Sequence, residues 1–448
     1  MGNTLENLTA QLLDAAKKAG ADAADALVVD GASVSIDVLN GKLEHAERAE
    51  GIDLGLRVMV GKRQANVSAS DRSADTIATM AERAVAMARE APEDENVGLA
   101  GQGQLAQEWD LEALELADPS DEPAPANLEG DARRAEEAAA GVAGVSQVQS
   151  ASAGYGRHRI HLAASNGFSG GYGRTSRSIS AVAISGTGAT MERDYFGEGR
   201  VFQADLPDAA EIGRIAGERA VARSGAKQPP SGTCPVLFDE RVSSSLIGHL
   251  LSAINGATIV RGGSFLRDAL GEQVLPAGLS LVEEPHRKRI SGSRPFDGEG
   301  LPTRDRLIID NGVLTGWILD LATGRKLGMD STANAARGTS APPSPSVSNV
   351  TLTPGDATRD DLIRDMGTGL LITSLIGSTI NPTTGEYSRG VSGFWVENGE
   401  VTYPVNECTI AGNLKDMLKR LQPANDALDH HSRRIPSILL DNMVLAGG

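Results

Sequence analysis

The chain has 448 residues, with 42 Lys plus Arg against 59 Asp plus Glu and a formal net charge of -17; such a surface repels phosphate backbones and argues against direct nucleic-acid binding. Its length favours two or three domains over one core, and two is the working number. Only two cysteines occur, Cys234 and Cys408; they lack CxxC spacing, so neither a disulfide framework nor a cysteine-rich zinc module is expected, and a reducing, cytoplasmic setting fits.

At the N-terminus, Leu5, Leu8, Leu12 and Ala16 recur at helical spacing and Gly20 follows as a stop, so the chain is predicted to open with a helix. Met1 to Gly20 lacks the basic region and apolar core of a secretory leader, and no apolar run of about 18 residues occurs anywhere, which predicts a soluble protein without a membrane segment. From Ala26 to Val67 the period changes to two, through Val34, Ile36, Val38 and then Ile52, Leu54, Leu56, Val58, with the turn pair Asn40-Gly41 between them. Helical spacing returns over 71–90 and again over 127–140. Consecutive hairpins are expected over 145–202, punctuated by Asn166-Gly167, Gly170-Gly171 and Gly186, and an amphipathic helix over 209–224.

Pro229, Pro230, Gly232 and Pro235 then mark a linker, after which a strand over 236–239 and a helix over 242–253 restart the pattern. Beyond them the chain is strand-rich, with hairpin signals at Asn311-Gly312 and Asn398-Gly399, an exposed loop over 338–348 and a closing apolar run over 438–444. The expected fold is α+β: an N-terminal domain over 1–228 with an antiparallel sheet and flanking helices, and a mostly β C-terminal domain over 229–448.

Catalytic signatures are sparse. No HExxH or HExxxH occurs. His158 and His161 sit three apart in a strand pattern and should point to opposite faces. His430 and His431, being adjacent, should diverge as a solvated loop pair, with a role near a C-terminal site as the alternative. His249 stands alone on an apolar helix and reads as a satisfied core or interface histidine. Gly167-Phe168-Ser169-Gly170-Gly171 fits GxSxG but has hairpin strands on both sides, and Gly55 to Lys62 only approximates a P-loop. The pairs Glu283-Glu284 and Asp360-Asp361 read as solvated acidic faces.

Several segments of the second half go beyond pattern. Asn381-Pro382-Thr383-Thr384-Gly385-Glu386-Tyr387-Ser388, Gly390-Val391-Ser392-Gly393, Val396-Glu397-Asn398-Gly399-Glu400, Pro404-Val405, Thr409-Ile410-Ala411-Gly412-Asn413 and Asp441-Asn442-Met443-Val444 resemble the C-terminal block of the TldD/PmbA family. Asn40 to Glu44 and Gly51 to Val58 are similar to its opening sheet. Within that family the chain resembles the TldE (PmbA) type of subunit.

The resemblance implies a fold shared by both subunits, an α+β domain followed by a mostly β domain that pairs with a partner around a proteolytic chamber. It places zinc in a TldD-type subunit, on HExxxH in the first helix of the C-terminal domain and on a cysteine near the C-terminus. Here that helix reads Ser244 to Ala253 with His249 alone, and no cysteine lies in 427–436. The implied reading is a non-catalytic subunit with no catalytic or metal residue of its own, zinc in the TldD-type partner, and small or unfolded peptides as substrates, including peptide antibiotics and an antitoxin. Asn381, Thr384, Ser388, Arg389 and Ser392 are the candidate chamber or peptide contacts; a glycine-rich turn pair serving the fold is the competing reading of that run. The alternative functions are a protein-binding modulator, for example of DNA gyrase as the family's older naming suggests, or a homo-oligomer, such as a homodimer, that binds a ligand of its own.

Overall fold

The computed structural model describes residues 4–448. α1 (Leu5–Ala19) is N-capped by Thr4 and closed by Gly20 at φ 96°. β1 (Ala23–Leu39), β2 (Lys42–Val60) and β3 (Arg63–Ala69) follow, then α2 (Ala74–Glu90), the single turn α3 (Leu111–Leu114) and α4 (Pro125–Ala140). β4 (Val145–Ala164), β5 (Ser169–Ser185), β6 (Glu192–Arg200) and α5 (Ala209–Ala222) complete the first half. The six strands form one antiparallel sheet in the order β3-β2-β1-β4-β5-β6. Asn40 (φ 54°) and Gly41 (φ 67°) both adopt the left-handed conformation that a tight β1–β2 hairpin needs.

One face of the sheet carries the helices. Ala26, Val28, Leu54 and Leu56 pack under Leu8, Leu12, Ile77 and Met80, while Val34, Ile36, Ala151 and Ala181 pack under Leu128, Ala132, Ile212 and Ala216. These β1 residues alternate along the strand and so share that face. The opposite face offers Leu27, Leu162 and Phe168, which join Phe296, Leu301 and Leu321 of the second half in one apolar cluster.

The second half begins with β7 (Gly232–Phe238), α6 (Glu240–Ala253) and α7 (Gly256–Val260), then β8 (Leu281–Glu283), β9 (Arg306–Asp310), β10 (Val313–Leu314), α8 (Leu321–Leu327), β11 (Ala335–Ala336) and β12 (Ser344–Pro345). It continues with β13 (Val350–Leu352), α9 (Arg359–Met366), β14 (Gly369–Ile380), β15 (Glu386–Glu397), β16 (Glu400–Asn413), α10 (Leu414–Leu418), β17 (Gln422–Pro423), β18 (Arg433–Arg434) and β19 (Ile438–Ala446). Strands pair in the order β16-β15-β14-β7-β19-β17, and an added β16–β19 pairing closes five of them into a barrel. A smaller sheet, β10-β9-β8-β13-β18, packs into the same core. The fold is thus α+β, with an antiparallel, helix-flanked N-terminal half and a mostly β C-terminal half. No described helix is long and apolar enough to cross a membrane.

Two local expectations change and one is extended. Gly170 and Gly171 lie inside β5 rather than in a turn; a Cβ on Gly170 would come within 2.8 Å of Trp109 and 2.9 Å of Phe296, so the residue is there for close ring packing. The segment 338–348 is exposed over much of its length, as expected, but is also tied down as part of a strap across β2: the Thr339 carbonyl lies 2.4 Å from where a Cβ of Gly55 would stand, and it accepts a hydrogen bond from Asn66 Nδ2 at 3.0 Å. Glu283 is buried, not solvated, and accepts from Asn334 Nδ2 (2.8 Å), Ser348 N (2.7 Å) and Arg306 (3.3 Å).

Where the strap begins, Arg337 and Arg57 of β2 both donate to the buried carboxylate of Asp25. Burial alone would raise the Asp25 carboxyl, but the two guanidinium groups outweigh it and hold it below the usual carboxylate range. Arg337→Met, which leaves Asp25 and Arg57 in the interior with their charge compensation reduced, is expected to cost about 3 kcal/mol in urea unfolding. A loss below about 1 kcal/mol would show that this contact is no more than a surface pair.

Candidate functional site

The helix on which the resemblance places the family's metal motif is α6. Asp239 caps its first turn, accepting from Arg241 N at 3.3 Å. Leu246, Ile247, Leu250 and Leu251 turn inward at helical spacing against β14 and the barrel core. His249 lies beside this stripe, half-buried, with its ring edge-on to Tyr387 at 6.0 Å.

Its surroundings are apolar and cationic, not ligating. Burial, then the neighbouring Arg389, lowers the His249 pKa and favours the neutral ring. The His249 Nε2, the Tyr387 hydroxyl and the Arg389 Nε are all buried without a hydrogen-bond partner. His249 is therefore not the satisfied core histidine that its sequence context suggests. Burial pushes the Tyr387 hydroxyl up to about 12, so it stays protonated.

The residues do not fit the zinc motif. HExxxH can be counted from His249 in two registers: with His249 first, its Glu and second His would stand at Leu250 and Ile254, both fully buried in the apolar core, and with His249 last, its first His and Glu would stand at the half-buried Ser244 and Ser245. The Cys408 thiol is buried, donates to the Val391 carbonyl at 3.4 Å, and is raised to about 11 by burial and by Cys234. Among the described residues Cys408 belongs to no group of three ligating side chains. Among the described residues no group of three ligating side chains includes His249.

The five candidate chamber contacts do not converge on one surface. Asn381 Oδ1 accepts from Thr383 N (3.0 Å) and Thr384 N (3.2 Å), and Asn413 Nδ2 donates to the Thr384 carbonyl at 3.1 Å. These two residues build the turn between β14 and β15. In β15, Tyr387 and Arg389 alternate with Ser388 and Ser392, so Arg389 shares the face toward His249 while the two serines take the other. Ser392 is buried and accepts from Arg223, the residue after α5, at 2.9 Å, so it ties the two halves of the chain together.

At the start of α6 a cleft of about 530 Å³ is lined by Arg219, Asp239, Glu240, Arg241, Arg359 and Asp426, among others. Burial, then Asp239, pushes the Glu240 carboxyl up to about 7. A proton can be exchanged there near neutrality, but no ligand set or nucleophile accompanies it. The sequence reading passed over Glu240 because one carboxylate at a helix start looks like capping. It also passed over a convergence of Glu198, His430 and His431, whose ligating atoms all lie within 4.8 Å of one another; the two histidine rings, expected to diverge, meet edge-on at 4.5 Å.

Two expectations follow. Tyr387→Phe removes a buried hydroxyl that has no partner and should stabilise the protein by about 1 kcal/mol in thermal or urea unfolding. Because folding raises the Glu240 pKa from 4.5 to about 7, its contribution to stability is complete below the lower value and is lost as pH rises through the upper one. Glu240→Gln should flatten that fall in the melting temperature between pH 5 and pH 8; an unchanged slope would contradict it.

Three family models match the chain: PmbA/TldA metallopeptidase domain 1 over residues 24–88, the central domain over 114–224 and the C-terminal domain over 231–447. A Haemophilus influenzae metalloprotease PmbA homolog is 37% identical over 444 residues, 97% of this chain and 94% of that one. The metalloprotease PmbA of Escherichia coli O157:H7 is 34% identical over 431 residues, 95% of this chain and 92% of that one. The crystal structure of a candidate DNA gyrase modulator from Bacteroides thetaiotaomicron superposes with a TM-score of 0.92 at 29% identity, covering 99% of this chain and 100% of that one.

Proposed function

Because the chain belongs to the PmbA/TldD metallopeptidase family, we propose that it is the non-catalytic, TldE (PmbA) type subunit of a zinc peptidase whose metal lies in a TldD-type partner. The observation that supports this reading is that α6 offers His249 neither a Glu nor a second His in either register: Leu250 and Ile254 are core residues, and Ser244 and Ser245 are half-buried serines. Removing zinc chemistry from a helix while keeping its packing leaves a subunit that shapes a site without performing the reaction.

Its part in peptide capture rests on sheet edges. β3 and β6 are the outer strands of the N-terminal sheet, and β2 runs past β3, which pairs only with Leu54 to Val60. An extended peptide can add to such an edge by main-chain hydrogen bonds with little regard to sequence, which suits small or unfolded substrates. Two free cysteines fit a cytoplasmic setting. The competing reading, a protein-binding modulator of DNA gyrase without proteolysis, draws on what the Bacteroides protein is called. It predicts no peptidase activity in any mixture.

The test is cleavage of an unstructured peptide by this protein alone, by a TldD-type partner alone and by both, with and without chelator. Activity confined to the mixture and abolished by chelator is expected, and His249→Ala in this chain should leave the mixture's kcat/KM within about twofold. Chelator-sensitive cleavage by this chain alone would overturn the proposal.

A further inference from the structure

Away from α6, two histidines and a carboxylate from the two halves of the chain meet at one point. Glu198 lies on the edge strand β6, and His430 and His431 lie in the segment between β17 and β18. Their ligating atoms are all within 4.8 Å of one another, and among the described residues this is the only such group. Tetrahedral zinc with bonds of about 2.0–2.1 Å holds its ligand atoms roughly 3.3 Å apart, so small side-chain rotations would close the set. Two imidazoles and one carboxylate are a zinc ligand set with a fourth position left open.

The donors are held and available. The Glu198 side chain is 9% exposed and that of His430 is 27% exposed. His430 Nε2 is buried 3.2 Å from Glu198 Oε2 and has no other partner. The segment is braced from outside: Arg287 donates to the carbonyls of His431 (3.1 Å) and Asp429, and Arg434 pairs with Asp429 at 2.8 Å. Arg200 shares the Glu198 carboxylate, so an ion there has to draw it partly away from that guanidinium and binds less tightly than in a closed structural site.

We propose that Glu198, His430 and His431 form a divalent-metal site of the zinc type that clasps the edge of the N-terminal sheet to the C-terminal domain. The site contains no residue of α6 and does not depend on the proposed subunit role, since its test needs neither peptide nor partner. The full-length chain, stripped with chelator and dialysed against zinc, is expected to retain about one ion and to melt at a higher temperature with zinc than without. The double variant His430→Asn/His431→Asn and the single variant Glu198→Gln, each checked for an unchanged circular-dichroism spectrum, should each bind at least about 100-fold more weakly, the upper end of what loss of even an outer-shell partner costs. They should also lose the thermal shift. Cys234→Ser/Cys408→Ser should bind as the unaltered chain does. No retained zinc in the unaltered chain, or undiminished binding by either the histidine or the glutamate variant, would overturn the proposal.

Discussion

A carboxylate buried between two arginines fixes how the halves of this chain sit on one another. Asp25 near the start of β1 is out of water, as are Arg57 of β2 and Arg337 of the strap, and a buried charge without its partner costs several kcal/mol. The strap must therefore lie where Arg337 reaches Asp25. Once it does, the Thr339 carbonyl comes to rest over Gly55, where a side chain would collide, and Asn66 meets the same carbonyl. The apolar contact of Phe168 with Phe296 and Leu301 falls on the same face of the sheet. Hydrophobic burial supplies area without direction; the ion cluster supplies the register.

What could be read from sequence was what is encoded locally. Asn40-Gly41, Asn311-Gly312 and Asn398-Gly399 all place both residues at positive φ between paired strands, as the turn chemistry demands. The first helix begins after its Thr4 cap and ends at Gly20 as its spacing implies. What was not legible depends on partners distant in the chain. Gly170 looked like a turn because the rings that require it, Trp109 and Phe296, lie far from it in sequence. Glu283 looked solvated because Arg306, Asn334 and Ser348 come to it only in the folded core. The adjacency of His430 and His431 said nothing of Glu198, which arrives from the other half of the chain.

The helix on which the resemblance places the metal motif keeps its architecture without the residues of that motif. α6 is still capped at Asp239 and still packs by Leu246, Ile247 and Leu250, so its place beside β14 is preserved. The polar atoms around His249 are left without partners, while Asn381 and Thr384 close a turn and Ser392 joins the two halves through Arg223. In β15 the surroundings of each side chain depend on which face of the strand it occupies.

The pairing of β19 with both β7 and β16 also bears on how the molecule is made. During synthesis the N-terminal sheet can assemble from successive hairpins, with β1 joining β4 as its one long reach. The barrel has such a route only in part: β14, β15 and β16 pair as successive hairpins, but β7, made early in its domain, waits until β19 emerges and fills the place between it and β16. Pairings so distant in sequence are slow to form, and an unpaired apolar edge invites association with other chains in the interval. The second half of this protein is therefore the part whose edges stay open longest during synthesis, and a chain ending before β19 would leave a sheet that cannot close.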